Sequence, residues 1–194
     1  MSTVRSDDIP TLDYLGVIKV FTQTAEPSTG GPSTSSSQND WTRSLEEQII
    51  DQIDCAQITG ELPRTANKKT VPLKIHVSTL GVKFVNPKSN HCTQRLAMHK
   101  LIQCICFDAD HDGLINLVIL EQLNGSDHGL AHLFQTGDER IADQLCRQVG
   151  EAFYQLEEEA RERAQAEQQR REAAKKERER LKRQKSTESS RKVT

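Results

Sequence analysis

Hydrophobic and polar positions follow two different periods along the chain, and each change of period marks a predicted element. A β-rich run, LDYLGVIKVF (12–21), predicts a first strand. After a polar stretch, apolar residues at helical spacing from Leu45 to Ala56 predict a helix. A capping box at Ser44 and Glu47 opens this helix, and Gly60 is placed to end it.

Beyond this helix, a period of two predicts about six strands. The segment 71–86 alternates and bends at Thr79 to Gly81 into a second short strand, whereas NPKSNHCTQ (86–94) predicts a loop. The remaining strand-like segments are RLAMHKLIQCICF (95–107), LINLVILEQL (114–123) and, after a turn at NGSDHG, LAHLFQT (130–136).

A second helix is predicted to follow Asp138, a residue suited to the N-cap. Its apolar stripe comprises Ile141, Leu145, Val149, Phe153 and Leu156. Beyond the stripe the sequence is almost wholly charged, with Glu–Arg and Glu–Lys pairs four residues apart, which favours a solvated helical extension that frays. The predicted pairs are Glu157–Arg161, Glu159–Arg163, Glu167–Arg171, Glu172–Lys176 and Glu179–Arg183.

The order strand, helix, six strands, helix predicts an α+β fold. One helix is too small to cover both faces of such a sheet, so we expect the antiparallel sheet to curl into a sandwich or partial barrel capped by the C-terminal helix. The predicted organisation is an N-terminal tail (1–11), a domain (12–156) with a disordered Ser/Thr/Pro/Gly-rich insertion (22–43), and a charged, basic-ended helical or disordered tail (157–194).

Composition narrows the function classes. Only 35% of the 194 residues are hydrophobic, and the sequence contains neither a long apolar run nor the apolar core of a signal peptide. We therefore expect a soluble, intracellular protein. Five cysteines, an odd number, fit a reducing compartment better than a disulfide framework.

The segment DADHDG (108–113) has the spacing with which an EF-hand calcium loop begins. Position 12 of such a loop requires a bidentate Glu, but this position is Ile119. The flanking segments are rich in strand-forming residues and lack a helical stripe. We therefore interpret the segment as a β-hairpin turn, with Asp112 and Gly113 suited to positive φ.

The sequence gives little support for a zinc site or for an enzyme active site. Cys104 and Cys106, with His91 and Cys92 nearby in sequence, lack the paired C-x₂-C spacing of a zinc site, so we interpret the thiols as buried. The sequence contains neither a Gly-rich phosphate loop nor a nucleophile-elbow motif. We expect no enzyme activity and no cofactor or metal.

Several segments resemble those of the phosphotyrosine-binding (PTB) domain superfamily. DYLGVIKV is similar to its first strand, VSTLGVKFVNP to the next pair and AFYQL to the end of its closing helix. Four segments are similar to the branch formed by the integrin cytoplasmic domain-associated proteins, with the malcavernin PTB domain as the next relative; they are IDQIDCAQITGELP, VSTLGVKF, LIQCICFDAD and ADQLCRQVGEAF. The resemblance covers about residues 12–156.

The resemblance implies a PTB (PH-like) fold and an adaptor that binds Asn-Pro-x-Tyr peptides by adding their backbone to an open sheet edge. It places that edge on the fifth strand, with the closing helix as the other wall. The implied peptide-binding residues are Leu101, Ile102, Gln103, Cys104, Ile105, Cys106 and Phe107 on the strand and Leu145, Val149, Phe153 and Leu156 on the helix.

Two questions about this groove stay open at the level of sequence. Simple alternation predicts that Leu101, Gln103, Ile105 and Phe107 face one side of the strand, with Ile102, Cys104 and Cys106 facing the other. Which of the two rows lines the groove is undetermined. Phe153 resembles the family's aromatic residue near the peptide turn, but a position in the core is an equal alternative.

By analogy, the partners are integrin β-subunit tails and an ankyrin-repeat scaffold carrying Asn-Pro-x-Tyr motifs, with another receptor tail as the alternative. No arginine cluster matches a phosphate pocket, so we expect the tyrosine to be bound unphosphorylated or indifferently. Asp51 and Asp54 could receive basic flanking residues, or could simply face solvent.

The basic C-terminal tail is the second open question. From Arg170 onward there are 11 basic and 4 acidic residues. This tail is either a solubilising helix, a nuclear-localisation patch, or a surface for acidic membranes or RNA. RNA binding is disfavoured because Tyr154 is the last aromatic residue in the chain. We expect a cytoplasmic protein held at the membrane periphery through its partners, with nuclear entry as an alternative.

Overall fold

Seven strands and two α-helices make up the described part of the chain. The computed structural model describes residues 9–22, 43–109 and 113–191, with side chains described to residue 178. The elements are β1 (Thr11–Phe21), α1 (Leu45–Thr59), β2 (Val71–Ser78), β3 (Gly81–Val85), β4 (Cys92–Ala97), β5 (Leu101–Asp108), β6 (Ile115–Gln122), β7 (His128–Thr136) and α2 (Glu139–Arg191), with a 3₁₀ turn at Met98–Lys100. The predicted element order and the α+β class are confirmed.

All strand pairs form one antiparallel sheet in the order β4-β3-β2-β1-β7-β6-β5. The chain enters at the centre of the sheet with β1 and then builds outward on both sides. Strands β4 and β5 therefore become the two ends of this sheet, although only the 3₁₀ turn separates them in sequence.

The sheet curls over on itself. In a flat sheet, β3 and β7 would lie three strand spacings apart, roughly 14 Å. The ring centroids of Phe84 on β3 and Phe134 on β7 are nevertheless only 4.9 Å apart. Gln94 Nε2 on β4 also lies 3.4 Å from His132 Nε2, although four spacings separate these strands. The curled sheet expected from the sequence is therefore present, and its inner face forms an aromatic core.

Helix α1 covers the other face of the sheet. The Ser44 hydroxyl accepts the Glu47 N–H and the Glu47 carboxylate accepts the Ser44 N–H, which confirms the predicted capping box. Gly60 ends the helix in the left-handed region, at φ 81°. Ile49, Ile53 and Ala56 of α1 join a cluster with strand residues Leu15, Ile18, Val20, Ile105, Val118, Leu120, Ala131 and Leu133, and with Leu62.

A side-chain amide joins α1 to the end of β1. Gln52 Oε1 accepts the Phe21 N–H at 2.7 Å, and Gln52 Nε2 donates to the Phe21 carbonyl at 3.3 Å. The amide group therefore satisfies both backbone groups of Phe21, as a neighbouring strand would.

The continuous burial of β6 follows from these two layers. Its first six residues, Ile115 to Leu120, are all buried, since one face meets α1 and the other meets the interior of the curl. A strand covered on both faces reads as an unbroken apolar run. This explains why the run NLVIL shows no alternation.

The structure corrects two sequence predictions about individual elements and confirms a third. The predicted loop 86–94 is too long, because β4 begins at Cys92. The buried positions in the first turns of α2 are Ala142, Leu145, Val149 and Ala152, so the predicted stripe missed the two alanines. Strands flank DADHDG on both sides, and Asp108 pairs with Ile115, so the predicted hairpin is confirmed and a helix–loop–helix site is excluded.

Some predictions lie outside the described residues. They concern the tail at 1–8, the insertion over 23–42 and the hairpin tip 110–112, which includes Asp112. Gly113, which follows the tip, has φ 68°.

None of the described helices combines the length and the apolar character needed to cross a membrane.

The chain divides into two units, Met1–Ala152 and Phe153–Thr194. In the second unit, the charged segment of α2 is helical to Arg191 and its side chains are exposed from Glu159 to Arg178. Of the predicted pairs whose side chains are described, Glu157–Arg161, Glu159–Arg163 and Glu167–Arg171 form, whereas Glu179–Arg183 lies outside the described side chains. Such exposed pairs contribute only a few tenths of a kcal/mol each.

A buried histidine makes the stability of the sheet dependent on pH. His132 is 1% exposed, and burial lowers its pKa from 6.5 to about 4. Burial also raises the pKa of Tyr14 to about 12, so its hydroxyl keeps the proton, and this hydroxyl forms a hydrogen bond with His132 Nδ1 at 3.2 Å. His132 Nε2 lies 3.8 Å from the Glu121 carboxylate.

We therefore expect the free energy of unfolding to fall on acidification below pH 6.5, because the unfolded chain binds a proton at His132 that the folded chain excludes until about pH 4. The expected slope is about 1.4 kcal/mol per pH unit, or about 3 kcal/mol in total. Urea denaturation of wild type and His132→Gln between pH 7 and 4.5 tests this. Exposed His91→Gln is the matched control and should keep the slope; an unchanged slope in His132→Gln would contradict the assignment.

The tight β2–β3 turn requires Gly81. Its φ is 138°, and an added Cβ would lie 2.0 Å from the Leu96 carbonyl oxygen. Gly81→Ala should therefore destabilise the domain by at least about 2 kcal/mol. Gly137→Ala, where an added Cβ meets no atom within 4 Å, should change stability by less than about 1 kcal/mol. Equal effects in urea denaturation would show that the turn tolerates a side chain.

Candidate peptide-binding edge

Strand β5 is an end strand of the described sheet, and it pairs there with β6 alone. Alternate residues of an end strand direct their N–H and C=O groups away from the sheet. The edge that the sequence predicted as a receiving edge is therefore located at the end of the sheet.

A β-bulge in β5 corrects the predicted division of its side chains. The register shifts between Leu101 and Gln103, so Ile102 is an extra residue in the strand. Ile102 packs with Ile105 and Phe107 against the α1-side cluster. Simple alternation was therefore wrong for Ile102, and for Leu101, whose partner Glu121 faces the interior of the curl beside His132.

The opposite row of β5 faces the first turns of α2. Cys104 Sγ lies 3.5 Å from Cys146 Sγ, and Cys106 Sγ donates to Asp143 Oδ1 at 3.4 Å. All three cysteines are half-buried and unbridged. The sequence predicted Cys104 and Cys106 as buried thiols, whereas both are half-buried. No sequence motif pointed to Asp143 or Cys146, whose spacing of three places them on one face of the helix.

The local environment holds the thiols of Cys106 and Cys146 in their protonated form. Burial, together with the nearby Cys146 and the hydrogen bond to Asp143, raises the pKa of Cys106 to about 12. The hydrogen bond to Cys104 and burial both raise the pKa of Cys146. In the part of the chain that the structure describes, no three His, Cys, Asp or Glu side chains are arranged to hold a metal ion.

The two predicted helix positions in the first unit are core residues. Leu145 and Val149 are each 2% exposed, so neither lines an open surface. Gly150 lies on the helix face that carries Asp143 and Cys146, four residues beyond Cys146. It is exposed, and an added Cβ would meet no atom within 4 Å. The helix surface is therefore uncovered at this point.

The other predicted contacts are placed as follows. Phe153 and Leu156 belong to the second unit and are half-buried. Asp51 on α1 already forms an exposed ion pair with Arg43. Asp54 lines a cavity of about 140 Å³ together with Arg64, Asp108 and Asn116, at the place where β5 ends and β6 begins. The structure brings Asp54, but not Asp51, to the end of the β5 edge.

Comparison with known proteins gives no family. No protein-family model matches the chain, and no curated protein matches its sequence at a significant level. Function is therefore inferred from the geometry of the β5 edge and from the resemblance to the PTB superfamily.

We expect Cys106 and Cys146 to react slowly with iodoacetamide at pH 7.5, because their raised pKa values leave little thiolate and their access is limited. Cys106 and Cys146 should be alkylated at least tenfold more slowly than exposed Cys55. Mass spectrometry of timed digests measures the rates, and urea-unfolded protein is the control in which they converge. Equal rates in the folded protein would contradict the described environment.

Proposed function

We propose that the first unit is a PTB-type, PH-like domain and a non-enzymatic adaptor that captures Asn-Pro-x-Tyr peptides by strand addition along β5. The position of β5 at the end of a curled antiparallel sheet, with the first turns of α2 beside it, carries this proposal. The order of elements and the segment similarities to the PTB superfamily support it.

The backbone supplies most of the affinity in this mode of binding. A peptide laid along β5 gains main-chain hydrogen bonds from the outward N–H and C=O groups of an eight-residue strand. It also removes an edge that would otherwise template aggregation. Because these groups are the same in every strand, specificity must come from side chains on both sides of the edge.

The edge offers two chemically different rows. Toward α1, half-buried Ile102 and Phe107 present apolar surface to alternate peptide residues. Toward α2, Cys104 and Cys106 face Asp143 and Cys146, and a small polarizable surface results. Beyond Cys146, bare Gly150 leaves room for a bulky peptide turn such as Asn-Pro-x-Tyr.

Charge favours peptides with basic flanking residues. Asp54, Asp108 and Arg64 line a cavity at the end of β5, and Asp143 lies on the α2 side of the strand. The resemblance implies that the tyrosine is bound unphosphorylated or indifferently, since a phosphate would need positioned arginine donors. Integrin β-subunit tails and an Asn-Pro-x-Tyr-bearing ankyrin-repeat scaffold are the proposed partners.

Fluorescence polarisation with an integrin β-tail peptide tests the proposal. We expect a micromolar Kd that is lost in the Asn→Ala and Tyr→Ala peptides. N-methylation of alternate backbone amides upstream of the motif should weaken binding at least tenfold, whereas methylation of the intervening amides should not, since only one set faces β5. Replacing basic flanking residues by Gln should weaken binding severalfold.

Variants at Gly150 locate the groove. Gly150→Trp should reduce affinity at least tenfold by filling the space beside Cys146, whereas Gly150→Ala should bind within twofold of wild type while stabilising the helix by about 0.5–1 kcal/mol. The absence of binding to every peptide, or equal binding to all, would reject the adaptor function. Equal effects of all N-methylations would reject strand addition.

A further inference from the structure

The sulfur cluster between β5 and α2 has a geometry that the capture of a peptide does not require. Cys104 and Cys146 lie 42 residues apart in sequence, yet their sulfur atoms are 3.5 Å apart. A disulfide bond is about 2.05 Å long, so the two sulfurs must approach by only about 1.5 Å. They belong to different elements, and these elements are the two walls of the proposed groove.

We propose that Cys104 and Cys146 form a reversible disulfide that fastens β5 to α2 and reduces access of peptides to the edge. The regulatory part of this inference rests on the proposed function. The disulfide itself does not, because it depends only on the sulfur geometry of the first unit.

Thiol–disulfide exchange with a small disulfide such as oxidised glutathione supplies the chemistry. Because the hydrogen bond and burial raise the pKa of Cys146, the first attack comes from Cys104, which forms a mixed disulfide and releases one glutathione thiol. Cys146 then attacks the protein sulfur of that mixed disulfide and releases the second glutathione. The two cysteines lose two electrons and two protons, which the two glutathione thiols carry away.

The consequence for the edge follows from the position of the bond. Cys104 lies on the α2-facing row of β5, near the middle of the strand. A covalent tie there fixes the two walls at their closest approach, so a peptide that must part them loses its space. Reduction restores the opening, and the glutathione ratio therefore controls binding.

Equilibration of the full chain in buffers of varied glutathione ratio tests the disulfide. After an acid quench and alkylation, peptide mapping should show a Cys104–Cys146 cross-link that titrates with the ratio. Cys104→Ser and Cys146→Ser should abolish it, whereas Cys106→Ser and Cys55→Ser should retain it. Circular dichroism confirms that the variants are folded.

Peptide titrations on the same samples test the regulation. We expect the oxidised protein to bind the integrin-tail peptide at least tenfold more weakly, with recovery on reduction, and Cys104→Ser to be insensitive to oxidised glutathione. Glutathione adducts alone, a Cys106–Cys146 link, or thiols that react only after zinc is chelated would overturn the disulfide. An unchanged Kd with the disulfide formed would overturn its regulatory role, while a disulfide in a protein that binds no peptide even when reduced would remove only the proposed function.

Discussion

Contact between the inner faces of β3 and β7 determines the rest of the domain. A sheet of seven strands cannot bury both faces with two helices while it remains flat, because its apolar face exceeds what they cover. Packing Phe84 against Phe134 solves this by turning one half of the sheet onto the other. The curl buries His132 beside half-buried Tyr14, and α1 covers the outer face of the half of the sheet that contains β5.

The same arrangement sets the character of β5. Its two faces are occupied, by α1 on one side and by the first turns of α2 on the other. Its edge is the side of the strand that the described sheet leaves unpaired. A strand with both faces supported is rigid enough to receive a partner chain, and the main-chain groups at its edge are already aligned. Support of the faces and availability of the edge are thus consequences of one topology.

The sequence predicted the elements well because their signals are local. The capping box at Ser44, the bend before Gly81 and the charged extension of α2 each depend on neighbouring residues. Strand order follows from where β1 lies, at the centre of the sheet, and this depends on long-range packing that no short window contains. The curl could be predicted only from a constraint on the whole fold, namely that the helices are too small to cover both faces of a flat sheet.

The candidate site was harder to predict than the fold. The bulge at Ile102 changes which residues of β5 share a face, and an alternating hydrophobic pattern does not reveal an inserted residue. The pairing of Cys104 with Cys146 joins residues from distant parts of the chain. Leu145 and Val149 were correctly placed on an apolar stripe, but a stripe does not distinguish the core from a groove.

The Gln52–Phe21 contact has a consequence for how the domain tolerates change. By satisfying both backbone groups at the end of β1, the amide side chain holds the exit of that strand against the body of α1, whose own start is fixed by the Ser44 cap. The two residues that flank the connection between β1 and α1, Phe21 and Ser44, are therefore held by contacts that do not involve the connecting sequence. Since closure entropy grows only with the logarithm of length, this junction can accept longer or shorter inserts at little energetic cost. It is a natural point for grafting a reporter or a second binding module without disturbing the sheet.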